Sequence, residues 1–387
     1  MKCQEIYLDN ASTTQIAPQV VEKINSLYTN KIYGNASSIH KAGIKAAIEI
    51  EKARSLIASK LNASPEEIYF VSCGTEANNW VMKGLFEKVR SMHIKPHFIV
   101  SSTEHPSILA PSKWLKMQGC DISLVPVDEK GVVKLDSLQS EIRKETVLIS
   151  VQHANNETGT LQPIEKIAQL AKNFSIPFHV DACQTFLKEP IDLINCPITF
   201  LTINAHKVHG PKGIAALYIK DEASLPSLLL GGEQEQGFRA GTYNLEGIVG
   251  FGATTQVIQT EGILKMRALK KYFWDKVQSE ISNITLNGDI NNSVCHILNI
   301  SIFEIDGSHL LQELNREGIY VSTGSACKAS VKTPSHVLLA MGKSIASANS
   351  SIRISFNQWQ KEEELDLFLL KLKNIVAKLR QSNDSSK

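Results

Sequence analysis

Between about residues 65 and 220 the chain alternates short apolar runs with amphipathic stretches, and no other feature constrains its fold as strongly. The runs are "EIYFVSC", "HFIVSS", "ISLVPV", "TVLISVQ", "PFHVDA", "FLTINA" and "IAALYI". Between them lie pieces such as "IEKIAQLAKNF", whose apolar residues recur at helical spacing. This alternation predicts an α/β fold, with a mostly parallel sheet covered by helices on both faces. After about residue 255 the texture changes. "ILKMRALKKYFWDKVQSEI", "ILNISIF", "HLLQELNREG", "SIRISF" and "KEEELDLFLLKLKNIVAKL" read as a smaller α+β unit, preceded by a long glycine-rich loop, "LLLGGEQEQGFRAGTYN". A chain of 387 residues suits two unequal domains better than one core.

Ligands of open α/β sheets bind in the crevice beyond the carboxyl ends of the strands, so the residues closing each run carry the chemistry. "EIYFVSC" runs into Gly74-Thr75-Glu76 and then a helical stretch. Free amides at a helix start, with the Thr75 hydroxyl, form a phosphate seat; the same residues equally suit an ordinary turn with a threonine cap. Asp181 closes "PFHVDA", and Gln184 follows. A carboxylate there needs a partner, either a cationic heterocycle nitrogen or a structural salt bridge, because an unpaired buried charge is too costly. Lys207 follows "FLTINA" directly. Burial would make it a Schiff-base nucleophile, although most lysines are simply solvated. His206 and His209 beside it lack the further ligands of a metal site. His105 in "VSSTEHPS" and Asn156, with Asn155, in "SVQHANNETG" read singly as structural or turn residues. The order of the set says more than its members. A phosphate seat, a histidine, an asparagine pair, an aspartate with a glutamine, and a lysine all fall at predicted strand ends. Pyridoxal 5'-phosphate requires this set: a lysine for its aldehyde, an acid on the pyridine nitrogen, and donors for its phosphate.

Cys327 lies in "STGSACKAS", a run of small and polar residues. Free cysteine usually packs like a small hydrophobe, so this one is either an incidental surface thiol or a nucleophile on a mobile arm. Seven cysteines scattered through a long chain do not form a secreted disulfide framework. "MKCQEIYLDN" lacks the apolar core of a secretory signal, and no apolar run approaches the roughly 20 residues of a membrane span. A formal net charge of +2 gives no reason to expect nucleic acid or a membrane as partner. These features predict a cytoplasmic protein, and the polar tail "QSNDSSK" is predicted to fray.

The landmarks "YLDNASTT", "YGNASSIHKAG", "SCGTEANN", "TEH", "NNETG", "HVDACQ", "AHKVHGPKG", "GFRAGTYN", "GSAC" and "SIRISF" stand in an order that resembles the NifS-like cysteine desulfurases. The likeness is to the class whose active cysteine lies in a Gly-Ser-Ala-Cys loop, and it covers nearly the whole chain. It implies pyridoxal-phosphate fold type I, with a large cofactor-binding domain over 15–255 and a small domain formed by 1–14 with 256–387. It also implies site roles. Lys207 would carry the cofactor and move protons at the substrate Cα. Asp181 would pair with the pyridinium nitrogen, and Gln184 and Asn156 would face the ring's phenolic oxygen. His105 would stack on the ring and assist proton transfer. Gly74, Thr75 and His206 would hold the phosphate, as would Asn204, which stands where many members carry serine or threonine. Thr242 would reach the phosphate of the neighbouring subunit, which implies a homodimer. Asn35 and Arg353 would bind the substrate carboxylate.

Cys327 would then take sulfur from L-cysteine, leaving L-alanine, and pass it as a persulfide to an acceptor or iron-sulfur scaffold protein. Lys328 beside it would lower the thiol pKa modestly. Cys73 and Cys183, inside the cofactor motifs, read as packing residues. The same residues also allow a selenocysteine lyase or an aminotransferase-like relative, and a non-catalytic sulfur-carrier or scaffold protein is the reading from outside enzymology.

Overall fold

The computed structural model describes residues 5–91, 95–220, 223, 225–323 and 333–384. Twelve strands form among them: β1 (Ile6–Tyr7), β2 (Ile68–Val71), β3 (His97–Ser101), β4 (Asp121–Val125), β5 (Thr146–Ser150), β6 (Phe178–Asp181), β7 (Phe200–Asn204), β8 (Ala215–Ile219), β9 (Ile284–Leu286), β10 (Ile297–Ile302), β11 (Ile319–Tyr320) and β12 (Ser351–Ser355). The seven apolar runs become β2 to β8, and all seven join one sheet in the order β2-β8-β7-β6-β5-β3-β4. Neighbours from β7 across to β4 pair in parallel, whereas β8 runs antiparallel to both β7 and β2. The link from Asn204 to Ala215 is too short to hold the crossover that a parallel return needs. Ala215 therefore sits between Val71 and Asn204, paired in register with each.

Burial follows the pleat. Along β3, Phe98 and Val100 join a core with Trp80, Leu85, Ile108 and Leu115, from the helices Gly74–Val89 and Pro106–Met117. Ile99 between them points into the opposite core, with Ile57, Ile167 and Phe251. Helices thus cover both faces, and every residue of β6 and β7 is buried.

A second, three-stranded antiparallel sheet has the order β12-β10-β9, and β1 pairs in parallel with β11. Its core draws Phe273 from the helix Thr260–Glu280, Leu314 from Gly307–Arg316 and Phe368 from Glu362–Asp384, together with Ile6 and Leu8 near the chain start. Phe273 and Phe368 stack with ring centroids 4.8 Å apart. The closing helix runs through Gln381 to Asp384, further than the polar tail suggests. Its apolar face, Ile375, Val376 and Leu379, is packed on this core, so the last turn continues a supported helix.

The glycine-rich segment is irregular apart from a short turn at Gln234–Gly237, in which Glu235 and Gln236 take left-handed φ values of 48° and 57°. Packing supplies the anchor for this strained backbone. The Glu235 carboxylate accepts two bonds of 2.8 Å from the buried Arg54 guanidinium and a third, also 2.8 Å, from the Phe70 amide. No helix among the described residues is long and apolar enough to cross a membrane.

Candidate active site

The carboxyl ends of β2, β3, β5, β6 and β7 open on a cleft of about 290 Å³, lined by Gly74, Thr75, His105, Asn156, Asp181, Gln184, Asn204, His206, Lys207 and Arg353, among others. Ten sequence-predicted site residues are therefore brought together. Asn35 and Thr242 are not among them. Asn35 is exposed, and its Oδ1 accepts the Ser37 amide. Thr242 is exposed beside a separate hollow of about 180 Å³. Cys327 lies outside the described residues. The segments flanking it are attached at the cleft: Thr323 lines it, Ser322 exchanges backbone hydrogen bonds of 3.0 and 2.7 Å with Arg353, and the Ser335 hydroxyl donates to Glu157, next to Asn156.

Asp181, at the end of β6, is buried. Its Oδ1 accepts the Cys183 amide at 3.0 Å and its Oδ2 accepts the Asn78 side-chain amide at 2.7 Å. Burial alone would raise its pKa. The Cys183 amide, the Asn78 amide and the charge of Lys207 outweigh it and hold the carboxyl below its ordinary value. The carboxylate is thus a fixed anion with a face toward the cleft. The same Asn78 amide donates to Ser107 Oγ at 2.8 Å, and Ser107 Oγ lies 2.8 Å from His105 Nδ1. His105 also caps the helix Pro106–Met117 by accepting the Ser107 amide on Nδ1 at 3.1 Å. Nδ1 is therefore the unprotonated nitrogen, and Nε2 carries the proton. Burial first, then the Lys207 charge, lowers the His105 pKa and keeps the ring neutral. Sequence reasoning missed Asn78 and Ser107. A signal was present: Asn78 lies one turn beyond Thr75 on the same helix, and Ser107 two residues beyond His105.

Lys207 makes no hydrogen bond or ion pair with any described residue, so its amine is free for a ligand. His206 Nδ1 lies 3.3 Å from the Thr13 hydroxyl. Burial, reinforced by Lys207 and Lys212, pushes its pKa down to about 4 and leaves it neutral. The asparagine pair divides its labour. Asn155 Oδ1 accepts the Glu157 and Thr158 amides and shapes the turn, whereas Asn156 lines the cleft. Arg353 donates to the Asn156 carbonyl at 2.7 Å, to Asp9 at 2.8 Å and to Ser12 at 2.6 Å, while its buried Nε has no partner among the described residues.

The residues fit pyridoxal phosphate. The helix Gly74–Val89 begins without a side-chain cap: its N-cap is Cys73, not Thr75, so its first amides remain open beside the cleft. A Cβ on Gly74 would stand 2.8 Å from Cys183 Sγ, so the backbone there approaches as only glycine allows. Asn204 lines the cleft beside it. Cys183 is buried, as a packing residue is, but Cys73 is exposed and lines the cleft, because an N-cap at a strand exit has no layer above it.

An uncapped helix start, a fixed carboxylate, a capping histidine and an unpaired lysine at the carboxyl edge of a parallel sheet define a pyridoxal-phosphate-dependent enzyme of fold type I. The sequence pattern of the aminotransferase class-V family matches residues 6–368. The chain belongs to that family. It is 40% identical over 380 residues to a protein named cysteine desulfurase IscS from Dictyoglomus turgidum, covering 97% of this chain and 96% of that one. It is also 40% identical over 377 residues to cysteine desulfurase IscS from Methanosarcina thermophila, covering 97% and 93%. A solved structure titled NifS-like protein superposes with a TM-score of 0.90 at 36% identity, covering 97% of this chain and all of that one.

Proposed function

We propose that this chain is a cysteine desulfurase, which takes sulfur from L-cysteine and releases L-alanine. The observation that carries the reading is the free Lys207 amine in one cleft with Asp181 and His105, beside the attachment points of the segment that bears Cys327. When bound, pyridoxal phosphate withdraws electrons from the amino acid's Cα. The chain's residues do the rest. Asp181, held ionised, fixes the ring nitrogen's charge; Gly74, Thr75, Asn204 and His206 hold the phosphate; Gln184 and Asn156 face the phenolic oxygen. Lys207 takes and returns the Cα proton, and neutral His105 packs on the ring and shuttles protons. Arg353, with its unpaired Nε, orients the substrate carboxylate.

Cys327 as thiolate attacks the substrate Sγ. The Sγ–Cβ bond breaks with its electron pair left on the carbon skeleton, which gains a proton at Cβ and departs as alanine. The outer sulfur stays on Cys327 as a persulfide, to be passed to an acceptor protein, with iron-sulfur cluster assembly as the destination. A homodimer completes the site in this reading. Thr242, exposed and away from its own cleft, reaches the partner's phosphate, and the exposed Asn35 supplies its contact to the carboxylate. The compartment is the cytoplasm.

The test pairs two variants. Cys327→Ala should keep the yellow absorbance and lose alanine and sulfide production from L-cysteine, whereas Lys207→Ala should lose the band. Normal turnover by Cys327→Ala would refute the mechanism.

A further inference from the structure

Behind the cleft, Gln184 is the outer member of a buried chain of three polar side chains. Its Nε2 donates to the Ala11 carbonyl at 3.0 Å, and its Oε1 lies 3.2 Å from His296 Nε2. On the far side, His296 Nε2 lies 3.2 Å from Lys188 Nζ. Lys188, 4% exposed, stands four residues beyond Gln184, and His296, 1% exposed, directly precedes β10. None of the roles assigned above uses Lys188 or His296.

The protons in this chain are fixed from its outer end. A carbonyl only accepts, so Ala11 requires the amide nitrogen of Gln184. The amide oxygen then faces His296 and requires a proton on Nε2. With that proton in place, Nε2 has no lone pair for Lys188, so a charged ammonium 3.2 Å away would press donor against donor. An uncharged amine, offering its own lone pair, fits. The other tautomer is penalised, because His296 Nδ1 is buried with no partner among the described residues to receive a proton.

We propose that Lys188 and His296 are positioning residues for Gln184: an uncharged Lys188 keeps the His296 proton on Nε2, and that proton holds the amide with one hydrogen on Ala11 and the other free for an acceptor oxygen bound in the cleft. The arrangement rests on the reading that Gln184 faces the cofactor's phenolic oxygen. If Lys188 gains a proton, it donates to Nε2, the imidazole proton moves to the unpartnered Nδ1, and Gln184 loses its inner anchor. The charge of one buried amine is thereby reported as the orientation of an amide in the active site.

The groups around the chain favour the uncharged state. Burial is the largest influence on Lys188 and, with the charge of Lys207 from the turn after β7, lowers its pKa to about 7 against Cys295 before β10, Cys183 after β6 and Glu189 next to it. His296 is driven well below its ordinary value first by burial and then by the charges of Lys270 from the helix Thr260–Glu280, Lys207, and Arg353 from β12. No proton is stable on both Nε2 and Nδ1, so the ring has to choose.

Nitrogen NMR of the holoenzyme carrying 15N-labelled histidine, with the His296 signals identified by their loss in His296→Gln, reads the tautomer directly. Wild type should show the Nε2–H form above pH 7 and the Nδ1–H form below it, and Lys188→Met should show Nε2–H on both sides. An Nδ1–H form above pH 7 in wild type, or a wild type and Lys188→Met that respond alike to pH, overturns the proposal; the wild-type result stands even if the variant fails to fold. The visible band of the cofactor is the second readout. Lys188→Arg, a permanent cation, should displace it at high pH toward its position in wild type at low pH. Tautomers that follow Lys188 with a band that ignores Lys188→Arg would uphold the relay and remove Gln184 from the ring.

Discussion

Asn78 is the residue whose removal tests the electrostatics of the site most directly. It is fully buried and gives one amide hydrogen to Asp181 and the other to Ser107. A hydrogen bond to a charged group contributes about 1.5–3 kcal/mol, and one pKa unit corresponds to about 1.4 kcal/mol. Asn78→Ala should therefore raise the Asp181 pKa by about 1–2 units. Water entering the vacated space would place the effect at the low end, and Asn78→Leu, which keeps the space filled, at the high end. The sign follows from the depressed value in the fold. In wild type the stabilisation is present above the unfolded-state pKa of about 3.9 and is lost as the pH falls through the still lower folded value. In the variant the folded value climbs, so loss begins at higher pH. The assay is the pH dependence of alanine formation, kcat/KM, alongside retention of the visible band. The acid limb of both should move up by about 1–2 pH units. An acid limb that stays in place while the protein remains folded would show that Asn78 does not hold the Asp181 charge, and the derivation of a fixed anion would fail.

Two further outcomes follow from packing. Gly74→Ala places a Cβ 2.8 Å from Cys183 Sγ and should weaken cofactor rebinding at least tenfold, about 1.4 kcal/mol, with Cys183→Ala in the same chain restoring most of it; equilibrium titration of the visible band measures both. Glu235→Ala leaves Arg54 with only Glu51 and the Ile68 carbonyl and leaves the buried Phe70 amide unpaired, and should cost about 1–3 kcal/mol, read as loss of amide-exchange protection in the glycine-rich segment. Arg54→Met with Glu235→Leu should recover much of that protection, and equal exchange in all three chains would mean that the ion pair does not anchor the segment.

The strand runs were legible because each is short, apolar and flanked by helical periodicity, and all seven enter one sheet. The reversal at β8 was legible too, had the short link from Asn204 to Ala215 been weighed against the length of a crossover. Most of the cleft residues could be named because strand ends in a parallel sheet share one edge, which makes position along the chain a guide to position in space; Arg353, on β12 of the other sheet, came only from the family resemblance. What stayed hidden depends on contacts across the sequence. Asn78 meets Asp181 from 103 positions away and His296 meets Gln184 from 112, and no local pattern announces either. Lys188 was closer to view, four residues after Gln184, but a lysine reads as solvated until its burial is known. Cys73 was misread as a packing residue from its place inside a cofactor motif, and only the open helix start exposes it.

The reversed strand has a consequence for how this catalyst keeps its dimensions. Ala215 is rung-paired to Val71 on one side and Asn204 on the other, so the anion seat after β2 and the amine after β7 are spaced by two strand widths, roughly 10 Å. That ruler is made of peptide hydrogen bonds, which side-chain replacement leaves intact. A single residue inserted into β8 would shift its pairing with both neighbours at once and carry the two halves of the cofactor's grip out of step.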